Sequence, residues 1–286
     1  MLRLVLSLVL LDPTGIAEVP QRSVPVSRVL TPDGDRLGYA PVPRPFTGAR
    51  RLTGVLVGHD PVSGTAVLCG GAVIGSRSRN LVLTAAHCLF HEGRPLQGLT
   101  FLPGYDQGRS RLGAWRAVRT WVPPRWRDGT YSPDLLPYDV GLVGVTRAKG
   151  EATLESVTGR GLRPLPTAKG TGLRGLELLG YPAGPRYPGS RMYRCLGDAV
   201  EGGAEGPGVL VTHNCHAAAG GSGGPAVYGG AVAGVVSSSS PLGRAAGYTV
   251  LTRLGGPAFD RLLARADRSM RLMTRTPAPG PPRRSP

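Results

Sequence analysis

Apolar residues in this chain come in short bursts, separated by glycine, proline and polar turn residues. Runs at 52–57, 65–69, 72–74, 81–83, 115–121 and 140–145 read as one set of β-strands. A passage rich in glycine and proline around 147–175 leads to a second set at 176–179, 208–212, 226–227, 231–236 and 248–251. Strands this short, each closed by turn residues, fit an antiparallel barrel or sandwich. Phe259, Leu262, Leu263 and Ala266 fall at helical spacing and predict one amphipathic helix after the last strand. Residues 18–48 show no clear period and read as an N-terminal arm or propeptide. Residues 267–286 are rich in arginine and proline and read as a disordered tail. The sequence has no internal repeat.

Composition sharpens this picture. With 44 glycines and 28 prolines, few stretches remain on which helical layers could form, so the expected fold is mostly strands, in keeping with an all-β class. The formal net charge is +16, carried by arginine, since Lys149 and Lys169 are the only lysines. The arginines are scattered and accompany no nucleic-acid motif, so nucleic acid is not an expected partner. Weak attraction to anionic surfaces is what the charge permits. Met1-Leu2-Arg3, the apolar run 4–11 and Gly15-Ile16-Ala17 have the pattern of a signal peptide over residues 1–17, which makes the expected product secreted. Four cysteines, Cys69, Cys88, Cys195 and Cys215, form an even set that an oxidising compartment would pair, and three pairings are open. His213, Cys215 and His216 lie close in sequence, but no second ligand pair at zinc spacing stands nearby, and no metal or cofactor is expected.

The chemistry concentrates in three motifs. Thr84-Ala85-Ala86-His87-Cys88 follows the apolar run 81–83. Tyr138-Asp139-Val140 leads into another, and Gly220-Gly221-Ser222-Gly223-Gly224-Pro225 holds a serine among glycines. Serine is a weak nucleophile until a base takes its proton, and histidine is the usual base. A carboxylate then fixes the imidazole tautomer; Asp139 is the best placed, since Asp106, Asp128 and Asp134 stand in looser, turn-like contexts. Glycines leave the serine hydroxyl unscreened and let the N–H groups of Gly220 and Ser222 turn toward a reacting oxygen as oxyanion-hole donors. The same motif fits the G-x-S-x-G elbow of α/β-hydrolases. That fold needs a histidine after the serine, and none follows Ser222.

At these residues, and at Cys69-Gly70-Gly71-Ala72-Val73-Ile74, the sequence resembles the trypsin/chymotrypsin-like serine peptidases, most of all their bacterial secreted streptogrisin-like and glutamyl-endopeptidase-like branch. The resemblance implies two six-stranded antiparallel β-barrels with a C-terminal helix. Residues 49–146 would form the first barrel, carrying His87 and Asp139, and 147–266 the second, carrying Ser222, with the helix. It implies a Cys69–Cys88 disulfide, leaving Cys195 to pair with Cys215. It implies a monomeric endopeptidase acting on proteins or peptides. Gly234-Val235-Val236-Ser237 resembles the family's cleft strand, which puts Ser237, Ser238 and Ser239 in the substrate cleft and a hydrogen bond from Ser237 on the triad aspartate.

Two departures bear on specificity and activation. Gly221 stands where animal relatives carry an aspartate that pairs with a newly cut N-terminus, so that activation device is absent. His216 stands where a trypsin-type pocket carries its acid, and the run 217–219 adds none, so cleavage after arginine or lysine is not expected to be favoured over small or medium apolar residues. Glutamyl-specific relatives place a histidine before the cleft serine, and here that residue is Val236. The alternative reading is a catalytically inactive trypsin-like fold serving as a secreted binding module.

Overall fold

The computed structural model describes residues 28–275, apart from 129–131, 148–149, 151, 166–171, 185, 203–207 and 240–247. The expected signal peptide, arm residues 18–27 and tail residues 276–286 lie outside the described residues. Six strands build the first barrel: β1 (Thr53–His59), β2 (Ala66–Ile74), β3 (Leu81–Thr84), β4 (Gln97–Pro103), β5 (Trp115–Trp121) and β6 (Gly141–Arg147). They pair in the order β1-β2-β3-β6-β5-β4, and β4 closes the ring on β1. The second barrel uses β7 (Leu173–Gly180), β8 (Tyr193–Glu201), β9 (Val209–Thr212), β10 (Pro225–Tyr228), β11 (Ala231–Ser239) and β12 (Thr249–Arg253). Its ring, β7-β8-β9-β12-β11-β10, repeats the order of the first. The internal repeat missing from the sequence is present in the topology.

Burial follows the strand pattern. All of β3 is buried, as a central strand covered on both faces must be. In β5 the register slips between Ala117 and Arg119, and the extra residue, Val118, is turned out and 47% exposed. One apolar core joins Leu81, Phe101 and Leu142 of the first barrel to Leu179, Val232 and Val235 of the second. A separate core fills the second barrel around Leu176, Leu178, Leu210 and Leu251. The disulfides join Cys69 to Cys88 and Cys195 to Cys215, the pairing the resemblance implies. Each closes a loop of about twenty residues, and loop-closure entropy gives about 3 kcal/mol for such a link.

The C-terminal helix, Pro257–Arg275, buries Phe259, Leu262, Ala266 and Met270 against the first barrel's core. Residues 267–275, expected in the tail, are therefore helical. Met270 is fully buried over Gly144, and the Asp267 carboxylate accepts from the Ser78 N–H at 2.7 Å. Those two anchors outweigh the arginine-rich composition. No helix among the described residues is long and apolar enough to cross a membrane.

The arm from residue 28 onward is bonded to the second barrel. Ala40 and Pro41 pair with Arg194 and Tyr193 of β8, and Thr31 Oγ1 accepts from the Leu196 N–H at 2.8 Å. Asp35 pins its turn, accepting from the Leu37 and Tyr39 N–H groups and from the Tyr187 hydroxyl.

Candidate active site

His87 lies in the turn that follows β3. Cys88 and Leu89 donate back to Ala85 and Ala86, and the disulfide ties the turn to β2. Asp139 caps the short 3-10 helix Pro133–Tyr138, which Leu135 and Leu136 anchor in apolar surroundings. The aspartate is 1% exposed, and three donors converge on it. Its Oδ1 accepts from the His87 N–H at 2.9 Å; its Oδ2 faces His87 Nδ1 at 2.7 Å and accepts from the Ser237 hydroxyl at 2.5 Å. A carboxylate can only accept, so the ring proton is on Nδ1, and Nε2 keeps the basic lone pair.

Ser237 reaches Asp139 because β11 bulges there. The register against β12 passes from Val236–Leu251 to Ser238–Val250 and skips the serine. A bulge re-aims a side chain in this way.

The segment carrying Ser222 packs directly on the histidine turn. The Gly70 N–H donates to Ser222 O at 2.7 Å, and Thr84 Oγ1 donates to Gly70 O at 2.8 Å. A Cβ at Gly223 would collide with Thr84 Oγ1 and lie 2.5 Å from Gly70 O, and its φ is +77°. Glycine is required there on both counts. Backbone bonds between Gly223 and Val236 and between Val236 and Gly224 then lock the segment to β11. Ser222 itself is half-buried.

Gly220 occupies the third position of a turn closed by the Gly221 N–H on Ala218 O at 3.0 Å, with φ +79°. Since Ala219 does not have positive φ, the turn is type II. Ala219 O accepts from the Ala183 N–H at 2.6 Å. In a trans peptide C=O and N–H point opposite ways, so this anchor aims the Gly220 N–H away from Ala183. The N–H groups of Gly221, Gly223 and Gly224 all have backbone acceptors, whereas those of Gly220 and Ser222 have none among the described residues.

The remaining predicted residues separate. Asp106 pairs with Arg44 at 3.0 Å and Asp128 with its neighbour Arg127, outside this network. The exposed His213 lies tilted against Tyr248, with ring centroids 5.5 Å apart, while His216 is half-buried. Ser238 and Ser239 are half-buried at the end of β11. Among the described residues, the one metal-like grouping is Cys69, His87 and Cys88, and its sulfurs are joined in the disulfide and offer no thiolate.

Three contributors escaped the sequence reading. Trp126, 8% exposed, brings its ring within 6.4 Å of the His87 ring. Thr249 Oγ1 donates to Cys215 O and accepts from the Ala217 N–H, both at 2.9 Å. Leu37 O of the arm accepts from the His216 N–H at 3.0 Å. The Pro-Pro-Arg-Trp cluster at 123–126 was the one available signal, an aromatic inside a turn.

No family model and no curated protein sequence matches the chain. Solved structures do. The protease Anisep from Arthrobacter nicotinovorans is 21% identical, with a TM-score of 0.65 over 78% of this chain and 98% of its own. The thermostable serine protease AL20 from an extremophilic microorganism is 20% identical, with a TM-score of 0.66 over 77% of this chain and 98% of its own. A Glu endopeptidase is 16% identical, with a TM-score of 0.62 over 84% of this chain and all of its own. Two closed six-stranded antiparallel barrels in one repeated order, together with these similarities, establish that the chain has the trypsin-like serine protease fold.

Proposed function

We infer that the protein is a secreted serine endopeptidase, with His87, Asp139 and Ser222 as its triad. The observation that carries this reading is the buried Asp139 carboxylate, which orients His87 through two bonds beside a half-buried serine in a glycine turn. His87 Nε2 takes the Ser222 hydroxyl proton as Oγ attacks the peptide carbonyl. The proton then passes to the leaving amine as the C–N bond breaks, giving an acyl-enzyme. Water, deprotonated by the same nitrogen, releases the acid and restores Ser222. The unengaged N–H groups of Gly220 and Ser222 suit the carbonyl oxygen as it becomes an oxyanion, and losing one such donor costs about 10²–10³ in turnover. The disulfides support export, because such links persist in oxidising surroundings. The three structural neighbours are named as proteases, which agrees with the reading.

Ser222→Ala is the direct test. The variant should keep its fold by circular dichroism, lose labelling by a fluorophosphonate probe and lose cleavage of a peptide library. Full hydrolysis by the pure variant would overturn the assignment. A wild-type protein that neither labels nor cleaves would favour the inactive binding module instead.

A further inference from the structure

Positive charge that lies scattered along the sequence is gathered at one place on the first barrel. A cavity of about 130 Å³ opens between the end of β5, the one-turn helix Pro124–Arg127 and the C-terminal helix. Arg119, Arg127 and Arg265 line it, one from each element, and no carboxylate does. One water needs about 10–15 Å³ by the same measure, so the space holds several waters or one small ion. Phe90 and Trp121 complete the wall with apolar surface, which strengthens the field of the charges beside it.

Elsewhere in the molecule Arg44, Arg50 and Arg253 each face a carboxylate. Around this cavity the supply of negative charge is poor. Arg265 is exposed and makes no ion pair among the described residues. The Arg119 guanidinium lies 5.9 Å from the Trp121 ring centroid, and its Nη1 donates to Ser269 Oγ at 3.4 Å. Neither of those partners is charged, and most donors of the fork stay open. Arg127 pairs with its neighbour Asp128 at 3.1 Å, but both side chains are more than half exposed, and such a pair contributes little.

We propose that this cavity binds a tetrahedral oxyanion, phosphate or sulfate, either free or as the end group of a monoester. Guanidinium forks meet such oxygens in paired, charge-assisted hydrogen bonds. Forks arriving from three elements suit oxygens that point in several directions, which a planar carboxylate does not offer. Trp121 and Ser269 already steady Arg119, so little of its freedom is lost when an anion arrives. None of the triad residues lines the cavity, so binding here does not depend on proteolysis.

Calorimetric titration of the purified protein tests this, with inorganic phosphate, sulfate, glycerol phosphate and acetate as ligands at constant ionic strength in chloride. The tetrahedral anions should bind saturably, and acetate more weakly by about tenfold, the scale of one lost charge-assisted hydrogen bond. Binding of the inorganic ions alone assigns the site to free anions; equal or tighter binding of glycerol phosphate assigns it to a monoester. Arg119→Gln and Arg265→Gln should each weaken binding by about tenfold. Arg174→Gln, which removes an exposed arginine from β7, should leave it unchanged. Circular dichroism checks that the variants are folded, and Arg265, exposed on its helix, can be replaced without opening the core. Phosphate bound no more tightly than acetate overturns the proposal. So does an affinity that survives both cavity variants, or one that falls as far in Arg174→Gln, since net charge and not the cavity would then account for it.

Discussion

Ser237 donates to the same Asp139 Oδ2 that faces His87 Nδ1, and at 2.5 Å the bond lies at the short end of the range for a hydroxyl on a carboxylate. Ser237→Ala would leave one lone pair of a 1% exposed carboxylate without its donor. Unfolding stability should fall by about 1.5–3 kcal/mol, the range for hydrogen bonds to charged groups. In kinetics the proposed mechanism puts the drop in kcat rather than KM, because the lost bond steadies Asp139, which in turn orients His87. Urea unfolding with a steady-state assay checks both, and an unchanged kcat would detach Ser237 from the aspartate's role. The sequence displayed His87, Asp139 and Ser222 because each sits in a short, distinctive local context. It could not separate His213 from His216, nor reveal Thr249 and Leu37. Those assignments depend on bonds between distant positions: Thr249 meets Cys215 from 34 residues away, and Leu37 crosses from the arm. No local pattern carries that information.

Strands rich in leucine and valine were readable within a few residues of their ends, and 115–121 matched throughout. Two strands of the barrels were missed. In β8 the inward positions are Cys195, Gly197 and Ala199, too small to give a hydrophobic period. In β4 the inward Leu99, Phe101 and Pro103 do alternate, but Gly98 and Pro103 punctuate the run like a turn. The helix failed at its far end for the converse reason, since charge on its outer face hid the one buried side chain that extends it. Met270 is that side chain, 0% exposed on Gly144. Met270→Ala should destabilise the protein by about 2–5 kcal/mol, as emptying a core methionine site does. Thermal or urea unfolding measures this; a loss below about 1 kcal/mol would show that the last turns of the helix contribute little.

The whole molecule divides its site between two barrels that also share a core. His87 and Asp139 come from the first, Ser222 and Ser237 from the second, and Leu179 and Val235 pack in one cluster with Phe101 and Leu142. Separate domains often melt in separate steps, but a common core couples these two. Heating should give one transition, with near-ultraviolet circular dichroism and probe labelling at Ser222 lost together. Two resolved steps would contradict the coupling. The arm adds a consequence in time. Arg28 O is bonded to the Asn214 side chain, 186 positions later, and Thr31 to Leu196, 165 positions later. A chain made from its N-terminus reaches its arm first and the arm's docking partners near the end. Thr249, which holds Cys215 and Ala217 in the segment leading to Ser222, is made later still. Under the proposed endopeptidase function, the polypeptide being synthesised therefore holds the parts of a cutting edge that has not yet been assembled, and it becomes able to cut its own unfolded length only when almost all of it exists.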